Sequence, residues 1–419
     1  MNKIEITGGC SLEGNVNVHG SKNSVLPMLA ASILTEEKVT LLNCPHIEDV
    51  HIMLKILKDL GCKVEFDNHK VQIDASVISN HKIVSKEAKS LRASFLFLGS
   101  LLGRLRRAEI SHPGGCTIGK RPINLHVEAI EKLGVEFEEC ENECILKAYT
   151  GSLTGSQISF HKKSVGASQN CILAAVLANG ITRIKGISLE PEVMELCSFL
   201  RKMGAVILRT DYNEIMIKGV KKLHGVTYSV PSDRIVAGTY MMAAVAARGK
   251  IFLENAPKAH LQSVSYNLSK TGAQIINKKN GILIDAAMAT KPIKYVSTQN
   301  YPGFPTDLQS QLAAALTIAE GESVIEENIF EERFKVISEL QKMGADIEID
   351  NNKIKINPVK KLHGANVCAQ ELRGGAALVI AAIIAEGTTT ISGCNYINRG
   401  YEDIVRDIKC IGVSTALYK

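Results

Sequence analysis

The segment HPGGCTIGKRP, residues 112–122, puts a thiol in a glycine turn beside two cations. Two chemistries compete for it. From Gly114 to Lys120 it reads G-x-x-x-x-G-K, the backbone cradle for a phosphate, with a strand-like RRAEIS before it and a helix-like NLHVEAIEKLG after it. The next position decides against that reading. Such a cradle needs Ser or Thr after the lysine to ligate magnesium; Arg121, which cannot ligate a cation, stands there, followed by Pro122. A cysteine-phosphatase loop would need an arginine at position 122, so that reading fails as well. The thiol remains. His112, Lys120 and Arg121 should draw the Cys116 pKa below its free value of about 8.5. A thiol closer to neutrality suits either a nucleophile or a general acid. From the local sequence alone, an inert buried cysteine stays open.

Further charges sit where helices should begin. Six apolar, small-residue-rich runs start SKNSVLP, SLRASFL, SVGASQN, RIVAGTY, TDLQSQL and LRGGAAL. A helix N-terminus offers free N–H groups and the positive end of the dipole, and so attracts anions. At or beside these starts stand Lys22, Arg92, Lys162 with Lys163, Asp233 with Arg234, Asp307 and Arg373. If the starts converge, they suit a multiply phosphorylated ligand.

The elements that must position these residues repeat. LKDLGCKV, IEKLGVEF, LRKMGAVI, LSKTGAQI, LQKMGADI and IKCIGVST each end a helical pattern on glycine, at Gly61, Gly134, Gly204, Gly272, Gly344 and Gly412. The spacings run from 68 to 73 residues. Glycine fits there because helices commonly end on a residue in the left-handed region. Each unit also carries one of the apolar runs before a short strand, so it reads hairpin, helix, strand, helix, strand; IEITGGCSLEGNVNV reads as the first hairpin. Six units divide into three per domain, with the boundary giving a lobe 21–229 that carries the Cys116 loop and a lobe 1–20 plus 230–419. The apolar helices should be buried and the glycine-ended, amphipathic ones should face solvent, with sheets outside a helical core. Only the second unit has the long glycine loop, and an insertion in one copy of a repeat is where function tends to be grafted.

Composition narrows the class. The 419 residues are 45% hydrophobic and 22% charged, enough for two cored domains. No run reaches the roughly 18 apolar residues of a membrane span. The start lacks the apolar stretch of a secretory signal. Eleven scattered cysteines without such a signal point to a reduced, cytoplasmic protein. Cys140 and Cys144 have no second pair nearby, so no metal site is expected. The net charge of +6 comes with 5% aromatics and no Trp, which suits an anionic small substrate better than nucleic acid.

Taken together, GSKNSVLP, LRASFLFLG, HPGGCTIGKRPINLH, FPTDLQSQ, ENIFEERF, ELRGGAAL and NRGYED resemble, in order and at the expected spacing, the motifs of the UDP-N-acetylglucosamine 1-carboxyvinyltransferase family of enolpyruvyl transferases. The resemblance runs from residue 3 to the C-terminus. It implies a two-lobed inside-out α/β barrel with three repeats per lobe. It also implies transfer of the enolpyruvyl group of phosphoenolpyruvate to the 3-hydroxyl of UDP-N-acetylglucosamine, with release of phosphate, the first committed step of peptidoglycan synthesis. Cys116 would be the general acid toward the methylene carbon, and the expected covalent target of fosfomycin. Asp307 would take the proton of the sugar hydroxyl. Lys22, Arg121 and Arg399 would hold phosphate and carboxylate. Asn23 and Arg92 would help place the nucleotide sugar. Arg121, Pro122, Ile123, Asn124 and Leu125, with Lys162, Lys163, Ser164, Val165 and Ile329, would line its site, and Arg333 and Arg373 would add positive charge. No metal or other cofactor is implied, because cations can stabilise the charged intermediate electrostatically. The chain departs from the family's usual residues at Asn124, Lys163, Glu371 and Asn398.

Three alternatives stand beside this. The sister reaction on shikimate 3-phosphate lacks, as a family, the cysteine loop. Another uridine nucleotide could be the acceptor, given Asn124. A weakly active regulatory paralogue is opposed by the presence of Lys22, Cys116, Asp307 and Arg399 together.

Overall fold

A computed structural model of the chain describes residues 3–114, 118–119, 121–140 and 144–418. They divide into two compact units: unit 1, Met1–His19, Thr117–Lys120 and Ser232–Lys419, and unit 2, Gly20–Cys116 and Arg121–Pro231.

Each unit is built on three apolar helices that pack on one another. In unit 2 they are Lys22–Ala31, Phe97–Leu105 and Val165–Ala175; in unit 1, Arg234–Ala246, Gln309–Leu316 and Leu372–Ile384. Their sequences explain the burial. LRGGAALVIAAII has no polar face, and every residue from Leu372 to Ile383 is buried. Small residues bring the axes close: a Cβ on Gly99 would collide with the Asn170 carbonyl of the neighbouring helix. The second set of helices is amphipathic, as in Glu48–Asp59 and Pro191–Lys202, and buries one face only. All six glycines that end this set have positive φ, from 88° at Gly134 to 102° at Gly61.

Strands form six four-stranded sheets among the described residues. Each has one parallel edge pairing and two antiparallel ones; Gln157–Ser159, for example, runs parallel to Ile181–Lys185, which pairs antiparallel with Glu214–Lys218 and so with Val206–Asp211. The chain closes each unit on itself. In unit 2, Val226–Ser229 returns to lie parallel to Val39–Leu42. In unit 1, Lys3–Thr7 inserts between Thr388–Ser392 and Ser414–Tyr418.

That closure corrects the first hairpin. Lys3–Thr7 and Glu13–Asn17 are both strands, but they belong to different sheets, and Glu13–Asn17 pairs with Lys250–Glu254. Between them the backbone is tied elsewhere: Gly8 N–H donates to Gly387 and Gly9 N–H to Ile383, at the end of an inner helix. Gly8 also rests against the carbonyls of Ala382 and Ala385 where a Cβ has no room. The segment therefore crosses the helix end instead of folding back. No helix among the described residues is long and apolar enough to cross a membrane.

Candidate active site

The charges expected at helix starts are at helix starts. Lys22 opens the helix Lys22–Ala31 after Ser21, whose hydroxyl accepts from Ser24 N–H at 3.3 Å. A cation here opposes the helix dipole, and the structure supplies an anion: Lys22 Nζ lies 2.6 Å from Asp49 Oδ2, and Asp49 is buried in the helix Glu48–Asp59. Asn23 follows, half-buried.

Elsewhere in unit 2, Arg92 begins a short 3-10 turn, and its Nη2 is 3.4 Å from the Pro122 carbonyl. Burial, and then the like charge of Arg121, bring the Arg92 guanidinium down to about 10. Two guanidinium groups that disfavour each other's charge make a place where an anion gains on both. Residues Pro122 and Ile123 lead into the helix Asn124–Glu131, with Asn124 and Leu125 as its first two residues. The Asn124 amide donates to Glu128 Oε1 at 3.3 Å, one turn on. Lys162 and Lys163 are exposed just before Ser164, which caps the helix Val165–Ala175 by accepting from Ala167 N–H.

His126 joins these pieces; it ends the motif HPGGCTIGKRPINLH but was given no role there. Its ring is buried edge-on to Phe95, 5.1 Å between centroids, and a Cβ on Gly166 would meet its Cε1 at 3.0 Å. Asn170 holds it: Nδ2 donates to His126 Nδ1 at 2.9 Å and to the Phe95 carbonyl at 2.9 Å, while Oδ1 accepts from Gly99 N–H at 2.8 Å. With Nδ1 accepting, the ring proton sits on Nε2. Burial first, then Arg92 and Arg121, push the His126 pKa down to about 3. The neutral ring thus adds no cation to a region already rich in them. The sign of the consequence follows. Unfolded chains take up this proton below about pH 6.5, and the folded state does not until about pH 3. Stability therefore falls with acidification across that window, by at most about 1.4 kcal/mol per pH unit from this group. Urea unfolding of wild type and His126→Phe at pH 7 and pH 5 should show their stability difference narrowing by about 2 kcal/mol at the lower pH.

In unit 1, Asp307 lies in the 3-10 turn Thr306–Leu308 that leads into Gln309–Leu316. Both its oxygens are engaged: Oδ1 by Arg333 Nη2, and Oδ2 by Arg373 Nη2 at 2.9 Å. Both arginines are buried, at 3% and 4% exposure. Burial pushes the Asp307 carboxyl up, but the charges of Arg373 and Arg333 more than reverse this and hold it well below the usual carboxylate range. Arg373 shows the mirror image: burial disfavours its charge, and Asp307, Tyr401 and Asp233 more than restore it.

Two carboxylates that the helix-start reading passed over shape this cluster. Glu371 caps the helix Leu372–Ile384, accepting from Arg373 N–H at 2.8 Å and from Gly374 N–H, and lies 3.6 Å from Arg333 Nη1. Glu327 is buried and binds Thr306 Oγ1 at 3.0 Å and the N–H groups of Ile329 and Phe330 at 2.8 and 3.0 Å. It thereby pins the ENIF turn, which it opens, to the residue before Asp307; its signal was its place as the first residue of the motif ENIFEERF. Arg333 Nε also reaches Thr306 Oγ1 at 3.2 Å, and its guanidinium stands 5.3 Å over the Phe330 ring. Arg399 follows the short helix Cys394–Ile397, after Asn398, and is half-buried.

The glycine loop divides. Cys116 and Lys120 lie outside the described residues. Gly114 N–H donates to the Lys89 carbonyl at 2.9 Å, and a Cβ there would stand 2.6 Å from that oxygen, so no larger residue fits. His112 Nε2 lies 3.0 Å from Glu139 Oε1. Ile118 is buried in unit 1 and its carbonyl accepts from Glu332 N–H at 3.1 Å. Among the described residues no group of His, Cys, Asp and Glu could hold a metal ion.

The six-sheet architecture has counterparts among solved structures. The enolpyruvyl transferase NikO of Streptomyces tendae aligns with TM-score 0.88 over 99% of this chain and 98% of that one, at 22% identity. An EPSP synthase of Acinetobacter baumannii aligns with TM-score 0.77 over both full lengths at 18% identity. The fold is thus the inside-out α/β fold of the enolpyruvyl transferases. The family model for EPSP synthase (3-phosphoshikimate 1-carboxyvinyltransferase) matches residues 6–408. UDP-N-acetylglucosamine 1-carboxyvinyltransferase 2 of Caldanaerobacter subterraneus subsp. tengcongensis is 44% identical over 98% of each chain, and the UDP-N-acetylglucosamine 1-carboxyvinyltransferase of Wolbachia sp. subsp. Brugia malayi is 42% identical over the whole of both. The chain belongs to the enolpyruvyl transferase family, and its curated relatives at this identity are UDP-N-acetylglucosamine 1-carboxyvinyltransferases.

Proposed function

We propose that this protein transfers the enolpyruvyl group of phosphoenolpyruvate to the 3-hydroxyl of UDP-N-acetylglucosamine, releasing inorganic phosphate, as a cytoplasmic step of peptidoglycan synthesis. The observation that carries the reading is the 44% identity to a UDP-N-acetylglucosamine 1-carboxyvinyltransferase over 98% of both chains.

The chemistry is addition followed by elimination. The sugar oxygen bonds to C2 of phosphoenolpyruvate while C3 takes a proton, giving a tetrahedral ketal. Loss of a C3 proton and of the phosphate restores the double bond, so no electron acceptor is needed. In this reading Cys116 supplies the proton to C3, and Asp307 accepts the proton of the sugar hydroxyl. Lys22, Arg121 and Arg399 bind the phosphate and carboxylate. Asn23, Arg92, the segment from Arg121 to Leu125, Lys162 to Val165, and Ile329 accommodate the nucleotide sugar. Asp307 held by two arginines is a weak base. An anionic substrate that draws Arg333 or Arg373 toward itself returns basicity to the carboxylate, which makes the proton transfer follow binding.

Fosfomycin, an epoxide that a nucleophilic thiol opens, should label the wild type and not Cys116→Ala; labelling of the alanine variant would remove the role given to Cys116. The reading as a whole is tested by phosphate release. Phosphoenolpyruvate with UDP-N-acetylglucosamine should release it, and phosphoenolpyruvate with shikimate 3-phosphate should not. The reverse result would reassign the acceptor.

A further inference from the structure

Unit 1 contains a buried polar trio that the proposed chemistry does not use. Tyr401 is 1% exposed, Thr239 2% and Gln311 0%. The Tyr401 hydroxyl lies 2.7 Å from Thr239 Oγ1, which itself donates to the Ile235 carbonyl one turn earlier. Gln311 Nε2 donates to Thr239 Oγ1 at 3.3 Å and to the backbone carbonyl of Asp307 at 3.0 Å. Burial raises the pKa of the Tyr401 hydroxyl, and the charge of Arg373 and the side chains of Thr239 and Gln311 only partly offset this. Three inner helices and the segment carrying Arg399 therefore meet at one phenol.

Packing alone does not call for this. A phenylalanine would fill nearly the same volume as Tyr401, and apolar residues would avoid the cost of burying three polar side chains. What hydroxyl and amide groups add is a single register, because each must keep its partners or lose them. Register matters here for a specific reason. Arg399 and Tyr401 are two residues apart on a short segment, and Gly400 between them rests on Leu372, where a Cβ would come within 2.8 Å of the leucine side chain. Leu372 is the first residue of the helix whose second is Arg373. The segment is thus seated on one helix through Gly400 and locked to two others through the phenol.

We propose that Tyr401 is a positioning residue for the transfer reaction: through Thr239 and Gln311, its buried hydroxyl fixes the Arg399 segment relative to Asp307 and Arg373. The proposal rests on the reading that Arg399 binds phosphoenolpyruvate and Asp307 serves as base. It separates from a purely structural role because only one substrate should feel it.

The test is steady-state kinetics on Tyr401→Phe, Thr239→Val and the double variant, with melting temperatures alongside. Each single change should lower kcat/KM for phosphoenolpyruvate by about tenfold, the size expected of a small misplacement, and leave KM for UDP-N-acetylglucosamine within about twofold. The double variant should be no worse than the poorer single one, because the two hydroxyls act through one bond. If Tyr401→Phe fails to fold, Thr239→Val, nearly isosteric, carries the same prediction alone. Lowered melting temperatures with unchanged kinetics, equal losses for both substrates, or additive losses in the double variant would each overturn the proposal while leaving the functional reading intact. A wild type that turns over neither substrate would overturn both.

Discussion

Asp307→Asn lowers kcat by about 10³-fold, within the range general-base removal usually costs. Asparagine keeps the shape and one acceptor oxygen, but it presents an N–H toward an arginine that also only donates. The carboxylate in this structure gives one oxygen to each of Arg333 and Arg373. The substitution therefore does two things at once. It removes the group that would take the hydroxyl proton, and it leaves two buried cations short of a counter-ion. Arg333 retains Glu371 at 3.6 Å; Arg373 loses the carboxylate 2.9 Å away and keeps the charge of Asp233. The loss of stability should be about 3 kcal/mol, as for other broken buried pairs. The two effects part experimentally. Kinetics measured at saturating substrate, well below the melting temperature, report the base. The denaturation midpoint reports the pair. A kcat within tenfold of wild type would show that the proton leaves by another route.

Lys22→Met has the second large effect, and for a related reason. Lys22 sits at the first position of an inner helix, where the dipole disfavours a cation, and Asp49 at 2.6 Å compensates. Asp49 is 1% exposed, so the methionine variant leaves a buried carboxylate without its lysine. Stability should fall by about 3 kcal/mol. Catalysis should fall further, by about 10³-fold in kcat/KM for phosphoenolpyruvate, because a cation that stabilises developing charge on the phosphate is lost with it. Lys22→Arg keeps the charge and tests whether a compact ammonium is required; it should restore most of the stability and only part of the rate. A methionine variant with normal KM for phosphoenolpyruvate and normal kcat would place Lys22 outside the chemistry.

How much of this was legible in the sequence differs by kind of signal. The glycine-ended helices were legible because a left-handed terminus selects glycine locally, and all six have positive φ. The inner helices were legible because a helix apolar all round has nowhere to go but a core. Strand partners were not. Alternation in IEITGGCSLEGNVNV identifies two strands, but what sends them to separate sheets is Gly8 and Gly9 bonding to the end of a helix more than 370 residues away. In the site, motif order brought attention to Asp307, Arg333 and Arg373, and the structure joins those three in ion pairs. The polar groups that hold the site in shape lie in the quoted segments too, His126 ending HPGGCTIGKRPINLH, Asn170 ending SVGASQN and Gln311 ending FPTDLQSQ, but nothing local gave them a role. Asn170 and His126 lie 44 positions apart, and each is an ordinary helical residue until the fold brings them to 2.9 Å. Gln311 in an Ala-rich helix reads as a good helix former, and its contacts with the Asp307 carbonyl and with Thr239 are what give it a role.

The central claim is that the C–O bond of phosphoenolpyruvate breaks and the enolpyruvyl carbon moves to the sugar. Phosphoenolpyruvate labelled with ¹⁸O in the bridge between C2 and phosphorus tests it directly. Turned over with UDP-N-acetylglucosamine, it should give unlabelled enolpyruvyl nucleotide sugar and inorganic phosphate carrying the heavy oxygen. Heavy oxygen retained in pyruvate, with the phosphoryl group on the nucleotide sugar or on water, would mean that the P–O bond breaks instead, and would contradict the account.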